Sequence, residues 1–294
     1  LYVMAKKYIQ AVEMCLENRV TISEAMVDTM TPPEDMESGE KKALLSDIGK
    51  ALKLQGSYTL ASKKYVQAGD RVRAIKCLVR AGDTKAVMQF ANISRNPEIY
   101  KLAANYLQQM NWRESVDIMK AIIMFYTKSK SFEQLAGFYD SCAQVEIDDY
   151  RDYDKAIGAL REGTKHLLKS DTRSAADMLA RFEQRISIIE KFVQARGAQE
   201  KDPDAMVNMC EDLLREPLLE EAIRAGDCLA MLTEHYHGRG KMREAYACIR
   251  EFENRNIAPH PFVHAEMLNA IYSAAGAHPA KIGGAGVGGG GGGG

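Results

Sequence analysis

One tryptophan and eight prolines occur in 294 residues, and no proline lies between Pro97 and Pro203. A span of that length without proline can run in unbroken helices, because proline removes a backbone donor and clashes with the preceding turn. No run approaches the roughly 18–20 consecutive apolar residues that a membrane-crossing helix requires. The six cysteines (Cys15, Cys77, Cys142, Cys210, Cys228, Cys248) form no C-x-x-C pair, which removes the usual zinc and thiol-redox signatures. Scattered among apolar neighbours, they are expected to be buried single thiols of a reducing compartment. Neither sign of charge is in excess. Lys plus Arg total 39 and Asp plus Glu 40, so a net charge of -1 gives no bulk attraction to nucleic acid or to an anionic membrane. Phosphate-binding loops and nucleophile elbows are absent, and no alternating stretch marks a strand.

What is present has a helical period. Ile99, Leu102, Ala103, Tyr106, Leu107 and Met110 fall on one face, as do Phe132, Leu135, Ala136, Tyr139, Cys142 and Ala143. Met178, Leu179, Phe182, Ile186, Ile189 and Val193 line a longer helix from Asp171 to about Arg196. The pattern predicts an all-α chain of roughly a dozen helices of about 11–26 residues. Thr31-Pro32, Asn96-Pro97 and Asp202-Pro203 each pair an N-cap residue with proline at the first helical position, and Thr31 with Glu34 reads as a capping box. The fifteen methionines are expected to fill irregular gaps between helices.

A degenerate repeat runs through the chain: a small or turn residue, an aromatic or long residue two further on, a small residue after three more, then an apolar one after four. It reads Gly56, Tyr58, Ala61, Tyr65; Gly69, Arg71, Ala74, Leu78; and Met110, Trp112, Ser115, Met119. Lys130, Phe132, Leu135, Tyr139; Arg151, Tyr153, Ala156, Leu160; and Gly240, Met242, Ala245, Ile249 complete the set. This resembles the tetratricopeptide motif, which implies a turn at the first position and close helix approach at the third. The fold expected is a tetratricopeptide-like α-solenoid of antiparallel helical hairpins over 1–275, with a Gly-rich flexible tail over 276–294. Gly56, Tyr58, Ala61, Tyr65, Ala74, Trp112, Ala156 and Ala245 are its packing residues. The thrice-repeated Ala-Gly-Asp (from Ala68, Ala81 and Ala225) is then punctuation, Gly ending one helix and Asp starting the next.

Candidate chemistry is thin. His260 and His264 would share a face if a helix begins by Pro261, and His235 and His237 lie close by in sequence, but three or four convergent ligands are needed for zinc. Asp148, Asp149, Asp152 and Asp154 in "EIDDYRDYD" lack the spacing of a calcium loop and read as a short solvated loop favouring the next helix's N-terminus. Asp148 and Asp149, together with Tyr139, Tyr150 and Tyr153, offer a surface for a partner protein. Arg71, Arg73, Lys76, Arg80 and Lys85 read as one basic helix, whose charges are its wet face unless Lys, Asn and Arg converge on a groove. No cofactor is expected.

"NPEIYKLAANYLQQMNWRESVDIMKAIIMFYTK" and "LAGFYDSCAQVEIDDYRDYDKAIGALRE" are similar to the C-terminal helical region of the intraflagellar transport protein 140 family, with "FYDSCAQVEID" the most specific segment. "KKYVQAGD" and "AGDRVRAIKCLVRAGDT" agree, and the resemblance covers roughly 1–275. It implies a non-catalytic scaffold at the cilium or flagellum and basal body, on the cytoplasmic side. Its implied partners are other subunits of intraflagellar transport complex A and, indirectly, the dynein-2 motor and ciliary membrane-protein cargo. The family's WD40 propellers are not in this stretch, and the polyglycine end departs from an acidic tail. The chain starts "LYVMAKKY" in a helical pattern without an initiating Met, so it is expected to be a piece of something longer. A vesicle coat or tethering solenoid shares the architecture; an all-helical enzyme would instead show a deep pocket of clustered ionisable groups.

Overall fold

A computed structural model describes residues 7–18, 20–31 and 36–276. Among them are sixteen α-helices and one π-helical turn, with no strand. The chain separates into two compact units meeting between Leu135 and Ala136. The first holds α1 (Tyr8–Glu17), α2 (Glu24–Met30), α3 (Ser38–Leu54), α4 (Tyr58–Gln67), α5 (Arg71–Ala81), α6 (Thr84–Ser94), α7 (Pro97–Leu107) and α8 (Val116–Lys128). Helix α9 (Phe132–Val145) passes through the dividing point. The second unit continues with the π turn (Glu146–Tyr150), α10 (Tyr153–Leu167), α11 (Arg173–Ala198), α12 (Pro203–Leu213), α13 (Leu219–Ala222), α14 (Ala225–Gly238), α15 (Met242–Asn254) and α16 (Ala265–Ala275). Successive helices pack on one another, α3 on α4 on α5 and α10 on α11 on α12, so the fold is an all-α tetratricopeptide-like solenoid of antiparallel helix pairs.

Five copies of the repeat keep the expected register. Tyr58, Arg71, Phe132, Tyr153 and Met242 each open a helix. Ala61, Ala74, Leu135, Ala156 and Ala245, three residues later, are all 0% exposed. The first position is the left-handed turn residue in all five: Gly56, Gly69, Lys130, Arg151 and Gly240 have φ between 53° and 86°. At Gly69 the closure is a Schellman motif. The Asp70 amide donates to Tyr65 O (2.8 Å) and the Gly69 amide to Val66 O (3.0 Å), satisfying carbonyls the helix end leaves open. Asp70 then caps α5 by accepting from the Arg73 amide at 2.8 Å, and Asp83 caps α6 from Ala86 at 2.9 Å. The first two Ala-Gly-Asp copies are therefore punctuation around an 11-residue helix.

The third copy is not. Ala225, Gly226 and Asp227 form the first turn of α14, with Gly226 buried. A methyl group on Gly226 would meet the Phe262 ring well inside van der Waals separation, with Cδ1 at 2.7 Å, so glycine is there for close approach. The Met110–Trp112 copy also fails. Trp112 lies in a turn, and Ser115 is the N-cap of α8, accepting from the Ile118 amide at 3.4 Å. Asn96 and Asp202 cap α7 and α12 as expected, each followed by Pro at N1. Thr31 instead ends α2, donating to Val27 O at 2.7 Å, and α3 starts only at Ser38; Pro32 and Glu34 of the expected capping box lie outside the described residues. So do residues 277–294 of the Gly-rich tail.

The cores are apolar. Met30, Leu44, Ile48, Leu52, Ala61 and Tyr65 belong to that of the first unit. Ala156, Leu160, Phe182, Ile189, Phe192 and Met206 belong to the largest cluster of the second. Of the six thiols, all unbridged, Cys77, Cys210, Cys228 and Cys248 are buried and Cys15 and Cys142 half-buried. In the second unit a cation is buried, unannounced by the apolar stripe. Arg185 on α11 is 2% exposed, ion-paired with Asp140 and donating to Gln144 Oε1 at 3.1 Å.

Candidate protein interface

The acidic stretch continues α9 as the π turn rather than forming a solvated loop. One residue too many per turn pushes its backbone outward, leaving Asp148, Asp149 and Tyr150 exposed, Tyr150 at 69%. Asp148 accepts from Gln144 at 2.9 Å. Asp152 caps α10, and the Lys155 side chain and amide hold its carboxyl below the ordinary carboxylate range. Tyr139 is half-buried and stacks on His166 with ring centroids 5.9 Å apart. Tyr153 is 2% exposed, so it presents no face to a partner. Its hydroxyl donates to Asp227 Oδ2 at 2.6 Å and accepts from the Arg224 amide at 3.3 Å. Burial, followed by the Asp227 charge, pushes that hydroxyl's pKa up.

Around Tyr153 the second unit is tied together. Arg151 pairs with Asp227 at 3.3 Å and donates to Pro261 O at 3.2 Å, while Arg224 donates to Asp148 O at 3.1 Å. Both guanidinium groups lie over the Phe262 ring, at 4.9 and 4.7 Å from its centroid. The segment between α15 and α16 is thus clasped by cation–π contacts worth about 0.5–1 kcal/mol each at exposed sites. His264 occupies the N-cap position of α16, which begins at Ala265, so His260 and His264 share no helical face. Among the described residues no group of three or more His, Cys, Asp or Glu could hold a metal ion, and no helix is long and apolar enough to cross a membrane.

The first unit carries an open cleft of about 320 Å³ between α3, α5 and α7. Its lining includes Lys53, Arg73, Lys76 and Arg80 and no carboxylate. Arg73, Lys76 and Arg80 follow the i, i+3, i+7 spacing of one α5 face; Lys85 belongs to the next helix and does not join them. Arg73 is engaged, with Asp70 at 3.2 Å and Ser46 at 3.0 Å. Lys53, Lys76 and Arg80 have no ion-pair partner among the described residues. The floor is Cys77 with Tyr65 and Tyr106, all nearly inaccessible. Burial pushes the Cys77 thiol up, against the opposing effect of the Lys53 and Arg80 charges. Across from α5, Asn105 lines the cleft and accepts from the Tyr126 hydroxyl through Oδ1 (2.8 Å). The α5 cations are visible in the sequence. Their convergence with Lys53 and Asn105 is not, because it depends on which helices pack together.

Stacked antiparallel helix pairs with an open cleft are consistent with a repeat protein that serves as a protein–protein interaction scaffold. Comparison with protein families gives two matches in succession. Residues 1–125 match the family model for the tetratricopeptide domain of intraflagellar transport proteins 140 and 172. Residues 133–253 match the model for the C-terminal tetratricopeptide domain of intraflagellar transport protein 140. The chain carries tetratricopeptide-like repeat domains of the kind those families define.

Proposed function

We propose that this chain is a scaffold module of intraflagellar transport complex A, of the intraflagellar transport protein 140 kind. It holds other complex A subunits on its repeat surfaces, and so supports retrograde ciliary transport and the entry of membrane-protein cargo at the cilium and basal body. The observation that carries this reading is the succession of two different family models, the C-terminal one included, along most of the described residues. Stacked helix pairs leave long faces open, and such faces take helices or extended segments of partners. The test is affinity purification of the tagged chain from ciliated cells with quantitative mass spectrometry. Complex A subunits are expected above a tag-only control; enrichment of vesicle-coat subunits instead would assign the module to membrane traffic.

A further inference from the structure

We propose that the cationic cleft of the first unit binds a linear acidic segment of a partner protein, with carboxylates paired to Lys53, Lys76 and Arg80. This rests on the scaffold reading and names the partner chemistry for one of its surfaces. In a chain whose charges balance, this cleft gathers four cations and no carboxylate, and three of the four lack an ion-pair partner among the described residues. Like charges held together repel, so a ligand that neutralises them gains from contacts the free protein does not make.

The dimensions select the ligand. From Lys76 to Arg80, the two α5 cations of the cleft without an ion-pair partner among the described residues, the helix rises about 6 Å at 1.5 Å per residue, and both side chains are long. Acids spaced i, i+3 in an extended chain lie about 10 Å apart, enough to engage both. Val79 and Leu102, half-buried in the walls, receive an apolar side chain between them. Asn105, exposed on the opposite wall, adds a neutral polar side chain there. Nucleic acid fits less well, because sequence-tolerant binding of single strands needs exposed aromatic faces for stacking. The lining aromatics, Tyr65 and Tyr106, are 2% and 7% exposed.

The probe is a short fluorescein-labelled peptide with two Glu-Leu-Ala-Glu repeats, titrated with the whole chain and followed by anisotropy. Its Gln counterpart serves as the control. The Glu peptide is expected to bind more tightly, and to weaken as ionic strength rises from about 0.05 to about 0.3 M and screening shortens. Lys76→Gln with Arg80→Gln, both at exposed positions of α5, should lower affinity roughly tenfold, two charge contacts' worth, without moving the thermal transition. Equal binding of the Glu and Gln peptides overturns the proposal, as does tighter binding of an oligouridylate of matched charge. The salt response of the parent chain is read without any variant, and a flat response also overturns it. If the parent enriches complex A subunits yet ignores the Glu peptide, this inference fails and the scaffold reading stands. If it takes the peptide through the α5 cations but enriches none of those subunits, the reverse holds.

Discussion

The Tyr126 hydroxyl shares its proton between Asn105 Oδ1 and Gln108 Oε1, each 2.8 Å away, beneath a ring that is 1% exposed. Burial pushes its pKa up from 10.0 to about 12. The sign follows from proton counting. Below pH 10 both folded and unfolded chains keep the proton, and the contribution to stability is complete. Between pH 10 and about 12 the unfolded chain gives it up first, so stability falls as pH rises. Tyr126→Phe should therefore cost about 1 kcal/mol at neutral pH for the lost hydrogen bonding. It should also show a shallower alkaline decline than the parent; urea midpoints at neutral and alkaline pH would show parallel curves if the hydroxyl were idle. Gly226 teaches a different lesson at the same scale. Its Ala-Gly-Asp context reads like the two turn copies, yet its reason is the distant Phe262 ring, and local pattern carries no trace of that contact.

Elements obey the repeat where the turn is explicit. Lys130 occupies the left-handed position that glycine fills at Gly56, Gly69 and Gly240, with φ 54°. A left-handed L-residue costs roughly 1–2 kcal/mol that glycine avoids, part of it offset by the freer unfolded chain. Lys130→Gly should raise stability by about 0.5–1 kcal/mol, read from the urea midpoint. A drop would mean the lysine stem contributes packing that outweighs the strain. The turn position is legible in the sequence at Lys130 and Arg151 even though neither is glycine, because the apolar residues that follow, buried in the fold, fix the register. The register slips at Trp112 for a physical reason: Ser115 satisfies the open amides of α8, and an N-cap overrides a loose match to a small-residue position. The π turn is hidden because Asp, Asp and Tyr suit a loop as well as an outward-bulging helix end. Lys64 is a similar surprise. It is 7% exposed, donates to Thr31 Oγ1 at 2.8 Å, and has its pKa lowered by burial, although lysine at that spacing reads as surface.

At the scale of the molecule, the family matches leave a gap after residue 125 that closes at 133, beside the structural division at Leu135 and Ala136. Each unit has an apolar core of its own. The one tryptophan, Trp112, lies in the first unit, while Gly226 lies in the second. Gly226→Ala forces a methyl group into the clasped Phe262 ring, and overpacking of this kind costs about 1–3 kcal/mol. It should advance the circular-dichroism transition but leave the tryptophan-fluorescence midpoint where it was; coincident shifts would show the chain unfolding as one. The thiols add a practical consequence. Burial holds Cys142 and Cys248 at about 11 and raises Cys77, so at neutral pH these sulfurs hardly ionise. A single cysteine placed on an exposed helix face would out-react Cys77, Cys142 and Cys248, so a fluorescent or spin label can be directed past those three sulfurs while they stay in place.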